Sequence, residues 1–185
     1  NYDAWDINIY YDRRHWEIDN VIDVKPLGSG AVFAGLQVSW SYMSSTITQD
    51  IIFYADLPRI DFRTHANWQE QTYIVKAHFP LDVFHNDVRC DIQYGNVSRS
   101  TCKNTSWDVA RFEVCAHKWV DVSEPDYGVA LLNDCKYGHG ASDDELTLTL
   151  IKTSHYPDKS GDVGEHSFSY ALFPHQGDWR QGNVI

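Results

Sequence analysis

Strict alternation of side-chain character is clearest in Ile60-Asp61-Phe62-Arg63-Thr64-His65-Ala66-Asn67-Trp68. Every second residue belongs to an apolar or weakly polar set, and the residues between are charged or amide-bearing. This period of two is that of a β-strand, whose successive side chains point to opposite faces. Residues 34–42 repeat the pattern, with Ala, Leu, Val, Trp and Tyr alternating with Gly, Gln and Ser. A strand with one dry and one wet face is typical of an antiparallel sheet.

The same pattern predicts strands along the rest of the chain. They are expected at residues 5–11, 72–79, 88–94, 111–116, 129–132, 145–151 and 166–172. Turns containing Gly and Pro separate them, and no segment has helical periodicity. We therefore predict an all-β fold, a large antiparallel β-sandwich of roughly ten or more strands, formed by residues 1–185 as one unit. The alternation places Trp5, Trp40 and Trp68 in its core.

Composition and charge exclude several classes of partner. The 185 residues carry a formal net charge of -11, with a pI of about 5.1, and 43% are hydrophobic. Binding to phosphate requires clustered Lys and Arg, so we expect neither a nucleic-acid nor a membrane partner. No apolar run approaches the roughly 18 residues of a membrane span.

The sequence contains none of the common catalytic or metal-binding motifs. The nine histidines are dispersed and form no zinc-binding spacing, so we assign no metal ligand. The sequence has no nucleophile elbow, P-loop or dinucleotide fingerprint. Its most acidic run, Ser142-Asp143-Asp144-Glu145, is expected to be a solvated hairpin loop and not a catalytic carboxylate pair. No catalytic residue is assigned.

The cysteines and the glycosylation motifs do not decide in which cellular compartment the protein lies. Cys90, Cys102, Cys115 and Cys135 include no C-x-x-C pair, and we expect free, mostly structural thiols. The motifs beginning at Asn96 and Asn104 match the N-glycosylation pattern, so both asparagines are candidate acceptor sites.

Polar residues are dense at the end of one predicted strand. The apolar run Val129–Leu132 stops abruptly in Asn-Asp-Cys-Lys-Tyr-Gly, residues 133–138. Ends of strands that carry several different polar groups are places where a scaffold presents a site. Asp134, Lys136 and Tyr137 are the candidates. The alternative is a structural turn in which Asp134 caps backbone amides and Lys136 pairs with it.

Two long segments, residues 104–119 and 128–138, resemble the C-terminal β region of the glycoside hydrolase family 38 α-mannosidases. The similarity is greatest to the cytosolic and fungal vacuolar type. Supporting matches lie at residues 4–7, 76–80 and 170–175, so the resemblance covers the whole chain in one order.

This resemblance implies a part in the retaining hydrolysis of terminal α-mannosides. In the family, an aspartate nucleophile and a zinc ion bound by His and Asp belong to an N-terminal α/β catalytic domain, which lies outside this sequence. The resemblance therefore implies no cofactor on this chain and zinc in the catalytic domain. It further implies that the chain packs against that domain as its partner, and that the loop of Asp134, Lys136 and Tyr137 lines the pocket for a mannose-containing oligosaccharide. Cytoplasm or vacuole is the expected location, with secretion left open.

Two other hypotheses belong to different classes. The aromatic content, 14% of residues, suits a free-standing carbohydrate-binding, lectin-like β-sandwich. Trp107 and Trp119 would then be the sugar-facing aromatics. The third hypothesis is an interaction domain that forms a homo-oligomer.

Overall fold

A computed structural model describes residues 3–142 and 144–185, and the regular structure of this part of the chain is almost all β-strand. Its strands in chain order are β1 (Val21–Ser29), β2 (Phe33–Tyr42), β3 (Ser45–Tyr54), β4 (Ile60–Trp68), β5 (Ile74–Pro80), β6 (Asp87–Ile92), β7 (Gly95–Ser100), β8 (Val114–Cys115), β9 (Trp119–Ser123), β10 (Tyr127–Asn133), β11 (Gly138–Ser142), β12 (Glu145–Lys152) and β13 (Gly164–Gln176). A 3-10 turn, Tyr11–Arg13, precedes them, and the helix α1 (Ser106–Ala110) lies between β7 and β8.

The strands form two antiparallel sheets of unequal width. The larger has the order β1-β2-β3-β4-β13-β10-β9-β6-β7, and the smaller has the order β5-β12-β11-β8. Pro26, which has no N–H for a ladder, lies in β1, where an edge strand tolerates it. The predicted all-β sandwich is confirmed.

The core lies between the sheets. Trp68 from β4 and Leu131 from β10 meet Leu146 and Leu148 from β12, and all four side chains are at most 1% exposed. Because the inward residues of each strand are apolar and the outward ones polar, the two sheets bury a shared layer of apolar side chains by packing face to face.

The smaller sheet covers only part of the larger one. Phe79 of β5 packs against Phe62 of β4, with ring centroids 5.9 Å apart. At the other end, the carbonyl of Cys115 in β8 accepts a hydrogen bond from the Arg99 side chain on β7. The smaller sheet therefore lies mainly over the region from β4 to β7, while Tyr42 of β2 and Ile47 of β3 also pack against the core.

The strand predictions were wrong in two places. Residues 5–11 form turns and the 3-10 helix, and Trp5 is 66% exposed instead of buried. The backbone carbonyls of Asp3 and Asp6 accept hydrogen bonds from the Lys152 ammonium, so this segment is held by a side chain and not by a ladder. Of residues 111–116, only Val114–Cys115 are a strand. Trp68 is buried in the core, as expected, whereas Trp40, predicted for the core as well, is only half-buried.

Local signals explain the helix and one hairpin. A capping box between Thr105 and Asp108 begins α1, although no helix was predicted there. Ser142 and Glu145 form the last pair of the β11–β12 hairpin, and Asp144 in the turn is exposed; Asp143 lies outside the described residues. Within the described ranges, no helix has the length and apolar character needed to cross a membrane.

Candidate functional site

The candidate loop, residues 134–137, connects the two sheets. It leaves the larger sheet at the end of β10 and enters the smaller sheet at β11. The Asn133 amide donates to the Lys118 carbonyl at 2.9 Å, and its side-chain Nδ2 donates to the His117 carbonyl at 2.8 Å. Its side-chain oxygen accepts from the Lys136 amide at 2.8 Å. Buried Asn133 therefore fixes both the start and the middle of the candidate loop.

Asp134 is tied to the neighbouring strand β13. Its amide donates to the Ser169 carbonyl at 3.1 Å, and its Oδ2 accepts from the Ser169 amide at 2.9 Å. The Lys118 ammonium donates to the Asp134 carbonyl. Asp134 thus caps a backbone amide, as the structural alternative expects, while its side chain stays exposed. Burial is the main cause that raises the pKa of the adjacent Cys135 thiol, and its hydrogen bond to Asp134 raises that pKa further.

Lys136 and Tyr137 differ in accessibility. The Lys136 ammonium lies 4.4 Å from the centroid of the buried Phe168 ring, an arrangement that a cation–π attraction stabilises. The described residues include no ion pair between Lys136 and Asp134. Tyr137 is 45% exposed, and its ring lies 5.4 Å from that of His117. Asp134 and Tyr137 therefore present groups to the surface, whereas Lys136 is half-buried.

The two candidate sugar-facing tryptophans have opposite environments. Trp107, on α1, is 74% exposed. Trp119 is 5% exposed and stacks on the half-buried Trp179 with ring centroids 5.5 Å apart. Trp119 therefore offers no free aromatic face, and the expectation that it is exposed was wrong.

The candidate acceptor asparagines also differ. Asn96 is half-buried in the edge strand β7, and Asn104 is exposed just before α1. N-glycosylation at either position stays a prediction.

All four cysteines are unpaired, as expected for free thiols. Cys90 is buried, Cys102 is half-buried, and Cys115 and Cys135 are exposed. Burial raises the pKa of the Cys90 thiol to about 11, so this group is protonated and unreactive at neutral pH.

One buried ion pair was not predicted from the sequence. The Lys76 ammonium on β5 contacts the Glu113 carboxylate, and their side chains are 6% and 11% exposed. The Tyr11 hydroxyl donates to the same carboxylate at 2.9 Å, and the Thr149 hydroxyl does so at 3.4 Å. Lys76 lies between the apolar residues Val75 and Ala77 in the sequence, and this pattern gives no sign of a buried acidic partner. With its two hydroxyl partners, the pair joins four segments that are distant in the chain.

A second buried pair lies on the larger sheet, on the face that points away from the core between the sheets. His175 Nε2 is 2.6 Å from Asp121 Oδ2, and both side chains are 2% exposed. The Ser123 hydroxyl donates to the other oxygen of Asp121. Burial raises the pKa of Asp121 above its ordinary value, against the lowering effects of Ser123 and His175. This arrangement is not a Ser-His-Asp triad, because the serine contacts the aspartate and not the histidine.

No cluster suited to a metal ion forms in the described part of the chain, where His, Cys, Asp and Glu nowhere gather in groups of three or more. The described residues do not fit a zinc ion, and the family resemblance implies that ion for the catalytic domain. The chemistry that the candidate loop can supply is hydrogen bonding, from an anchored carboxylate and an exposed phenol.

Comparison with known proteins connects this architecture to one family. Residues 1–160 match the sequence profile described as "Glycosyl hydrolases family 38 C-terminal domain". Over 189 aligned residues, the whole chain is 36% identical to alpha-mannosidase 2C1 of Homo sapiens, and it spans 18% of that protein. Alpha-mannosidase of Saccharomyces cerevisiae is 40% identical over 124 residues, which are 66% of this chain and 11% of that protein. The chain thus spans less than a fifth of the length of these curated relatives.

A solved structure shares the fold. An alpha-mannosidase from Enterococcus faecalis V583 superposes with a TM-score of 0.77 at 16% identity, over 86% of this chain and 23% of that chain. At this level of identity, the likeness concerns the fold alone.

Proposed function

The chain belongs to glycosyl hydrolase family 38, as part of its C-terminal domain, and from that premise we propose that it braces the catalytic domain of a retaining α-mannosidase and completes the substrate pocket. The full enzyme would hydrolyse terminal α-mannosides of an oligosaccharide. The observation that carries the proposal is the candidate loop, whose polar residues are fixed by hydrogen bonds from both β9–β10 and β13. A pre-organised loop of this kind binds a ligand at a lower entropic cost than a mobile one.

The loop residues take different roles in this proposal. Asp134 and Tyr137 offer an acceptor and a phenolic hydroxyl to sugar hydroxyls. Lys136 acts as a positioning residue, because its ammonium packs on Phe168 and its amide is bound by Asn133. We place the nucleophile and the zinc ion in the catalytic domain, the partner of this chain.

The test is kinetics of the complete enzyme with an aryl α-mannoside and with an oligosaccharide. A lost hydrogen bond to a sugar hydroxyl is worth about 0.5–1.5 kcal/mol, so Tyr137→Phe should lower kcat/KM by about 2- to 10-fold with an unchanged melting temperature. Lys136→Ala should also lower activity with little loss of folding. Tyr127→Phe is the matched control, since Tyr127 is 39% exposed at the opposite end of β10. Unchanged kinetics for both loop variants would reject the assignment of the pocket.

One observation favours the second candidate function, a free-standing carbohydrate-binding β-sandwich. Trp107 is 74% exposed, and an exposed indole can stack on a sugar ring. Calorimetric titration of the 185-residue chain with mannose and a mannobiose separates the two functions. Saturable binding that Trp107→Ala abolishes would support the binding module, while absence of heat would favour the bracing role.

The cytoplasm or the vacuole is the location we propose. Cys115 and Cys135 are exposed free thiols, and because such groups persist in a reducing compartment, they favour the cytoplasm of the two. Modification of Asn96 or Asn104, seen by intact mass after expression in the native host, would instead place the protein in the secretory pathway.

A further inference from the structure

A second loop lies beside the candidate loop, at the same end of the larger sheet. It consists of residues 116–118, which connect β8 to β9, and we call it the β8–β9 connection. Trp119 of β9 is opposite Leu132 of β10, so β9 begins where β10 ends, and the two loops adjoin the same end of this strand pair. A ligand bound by the candidate loop would therefore lie close to the β8–β9 connection.

Hydrogen bonds hold the β8–β9 connection against the candidate loop. The Ala116 amide donates to the Tyr137 carbonyl at 3.1 Å. The Lys118 ammonium donates to the Asp134 carbonyl, and the Lys118 amide donates to Asp91 Oδ2 at 2.9 Å. The connection is thus bonded on one side to the candidate loop and on the other side to β6, which fixes the two loops relative to each other.

His117, in the middle of the connection, has a fixed backbone and an unbonded imidazole. Its amide donates to the Asp91 carbonyl at 3.0 Å, and its carbonyl accepts from Asn133 Nδ2 at 2.8 Å. Its half-buried ring lies 5.4 Å from the Tyr137 ring, measured between centroids. Within the described part of the chain, no group forms a hydrogen bond or an ion pair with either ring nitrogen, and both nitrogens reach solvent. A binding group needs a fixed backbone and free polar atoms, and His117 has both.

Two other histidines of the larger sheet differ from His117 in this respect. The imidazole of His65 contacts the Glu165 carboxylate at 2.7 Å, and that of His175 contacts Asp121 at 2.6 Å. His117 has no such carboxylate, so its ring keeps its hydrogen-bonding capacity for a ligand. A neutral imidazole has one N–H donor and one acceptor nitrogen, which suits a sugar hydroxyl, itself both a donor and an acceptor.

We propose that His117 is a substrate-binding residue of the α-mannosidase and that its imidazole hydrogen-bonds a hydroxyl of the bound mannoside. The inference rests on the proposed function, because it assigns His117 to the pocket that the candidate loop lines. Two loops then form this wall of the pocket, with Asp134 and Tyr137 on one and His117 on the other. The contact between the His117 and Tyr137 rings places both within reach of one saccharide.

Kinetics of the complete enzyme with an aryl α-mannoside and with an oligosaccharide test the role of His117. His117→Phe retains a ring that packs on Tyr137 but removes both nitrogens, so kcat/KM should fall by about 2- to 10-fold with an unchanged melting temperature. His117→Gln loses the ring but retains a donor and an acceptor, so its kcat/KM should lie closer to that of the parent. A residue that served only to pack against Tyr137 would give the reverse order. Tyr127→Phe, at the opposite end of β10, is again the control.

Two results would overturn the inference while leaving the candidate loop in the pocket. In the first, Tyr137→Phe lowers kcat/KM and His117→Phe matches the parent with both substrates. In the second, His117→Gln loses as much activity as His117→Phe or more, which would assign the ring to packing alone. Unchanged kinetics for Tyr137→Phe, Lys136→Ala and His117→Phe together would reject the proposed function along with this inference. A loss for His117→Phe alone would instead support His117 as a pocket residue and exclude the candidate loop.

Discussion

Removal of one member of the buried Lys76–Glu113 pair should be strongly destabilising. Lys76→Met deletes the ammonium but retains a side chain of similar length. It leaves a carboxylate that is 11% exposed with the Tyr11 and Thr149 hydroxyls as its remaining donors. Breaking a buried pair in this way costs about 3–5 kcal/mol, and the remaining donors favour the lower end, about 3 kcal/mol.

Urea unfolding of the 185-residue chain measures this loss. The double variant Lys76→Met/Glu113→Leu removes both charges, and it should recover most of the loss, because an apolar pair in place of a buried ion pair is often neutral. The exposed pair of Lys25 and Asp23 provides the matched control, with side chains 64% and 44% exposed. Lys25→Met should change the free energy of unfolding by at most about 1 kcal/mol.

The comparison of these variants can refute the reasoning directly. If Lys76→Met costs no more than Lys25→Met, solvent screens the pair and its burial has no energetic consequence. If the losses of Lys76→Met and Glu113→Leu simply add in the double variant, the two side chains are not coupled.

Two further predictions concern pH and the aromatic core. Burial lowers the pKa of His139 from 6.5 to about 4, so its contribution to stability is complete above pH 6.5 and falls by about 3 kcal/mol as the pH drops through 4. Urea unfolding of His139→Leu at pH 7 and pH 4.5 should show a smaller acid loss than the parent. Identical acid losses for the two proteins would contradict the prediction. Trp68→Ala should cost about 3–5 kcal/mol because Trp68 is 1% exposed, and Trp5→Ala, at a 66% exposed position, should cost about 1 kcal/mol or less. Equal shifts of the thermal midpoint for the two tryptophan variants would refute the assignment of core and surface.

Sequence alternation predicted the fold best where one face of a strand is dry and the other wet. Residues 60–68 were predicted as a strand and form β4, with Ala66 and Trp68 each 1% exposed on its inner face. The same reasoning failed for residues 5–11, because an alternating segment becomes a strand only beside a partner. There the Lys152 ammonium, 146 residues from Asp6, occupies carbonyls that a partner strand would need.

The location of the candidate loop was predictable, but its side-chain environments were not. An abrupt end to the apolar run of β10 marks the loop in the sequence. The packing of Lys136 on Phe168 and the stacking of Trp119 on Trp179 depend on residues far away in the chain. Buried ion pairs are equally invisible to periodicity, since Asp121 and His175 are separated by 54 residues.

Two buried carboxylates, Asp121 and Glu113, stabilise the fold and are inaccessible to a sugar. A retaining glycosidase requires two carboxyl groups about 5–5.5 Å apart, one on each side of the bond to be cleaved. Asp121 is 2% exposed and held by His175, and Glu113 is 11% exposed and held by Lys76, so a sugar reaches neither without disruption of the fold. These carboxylates stabilise the sandwich instead, whereas Asp134 keeps its side chain at the surface of an anchored loop. The fold thus holds these two carboxylates inside and presents the Asp134 carboxylate on an anchored loop, which is the group that our proposal assigns to the pocket.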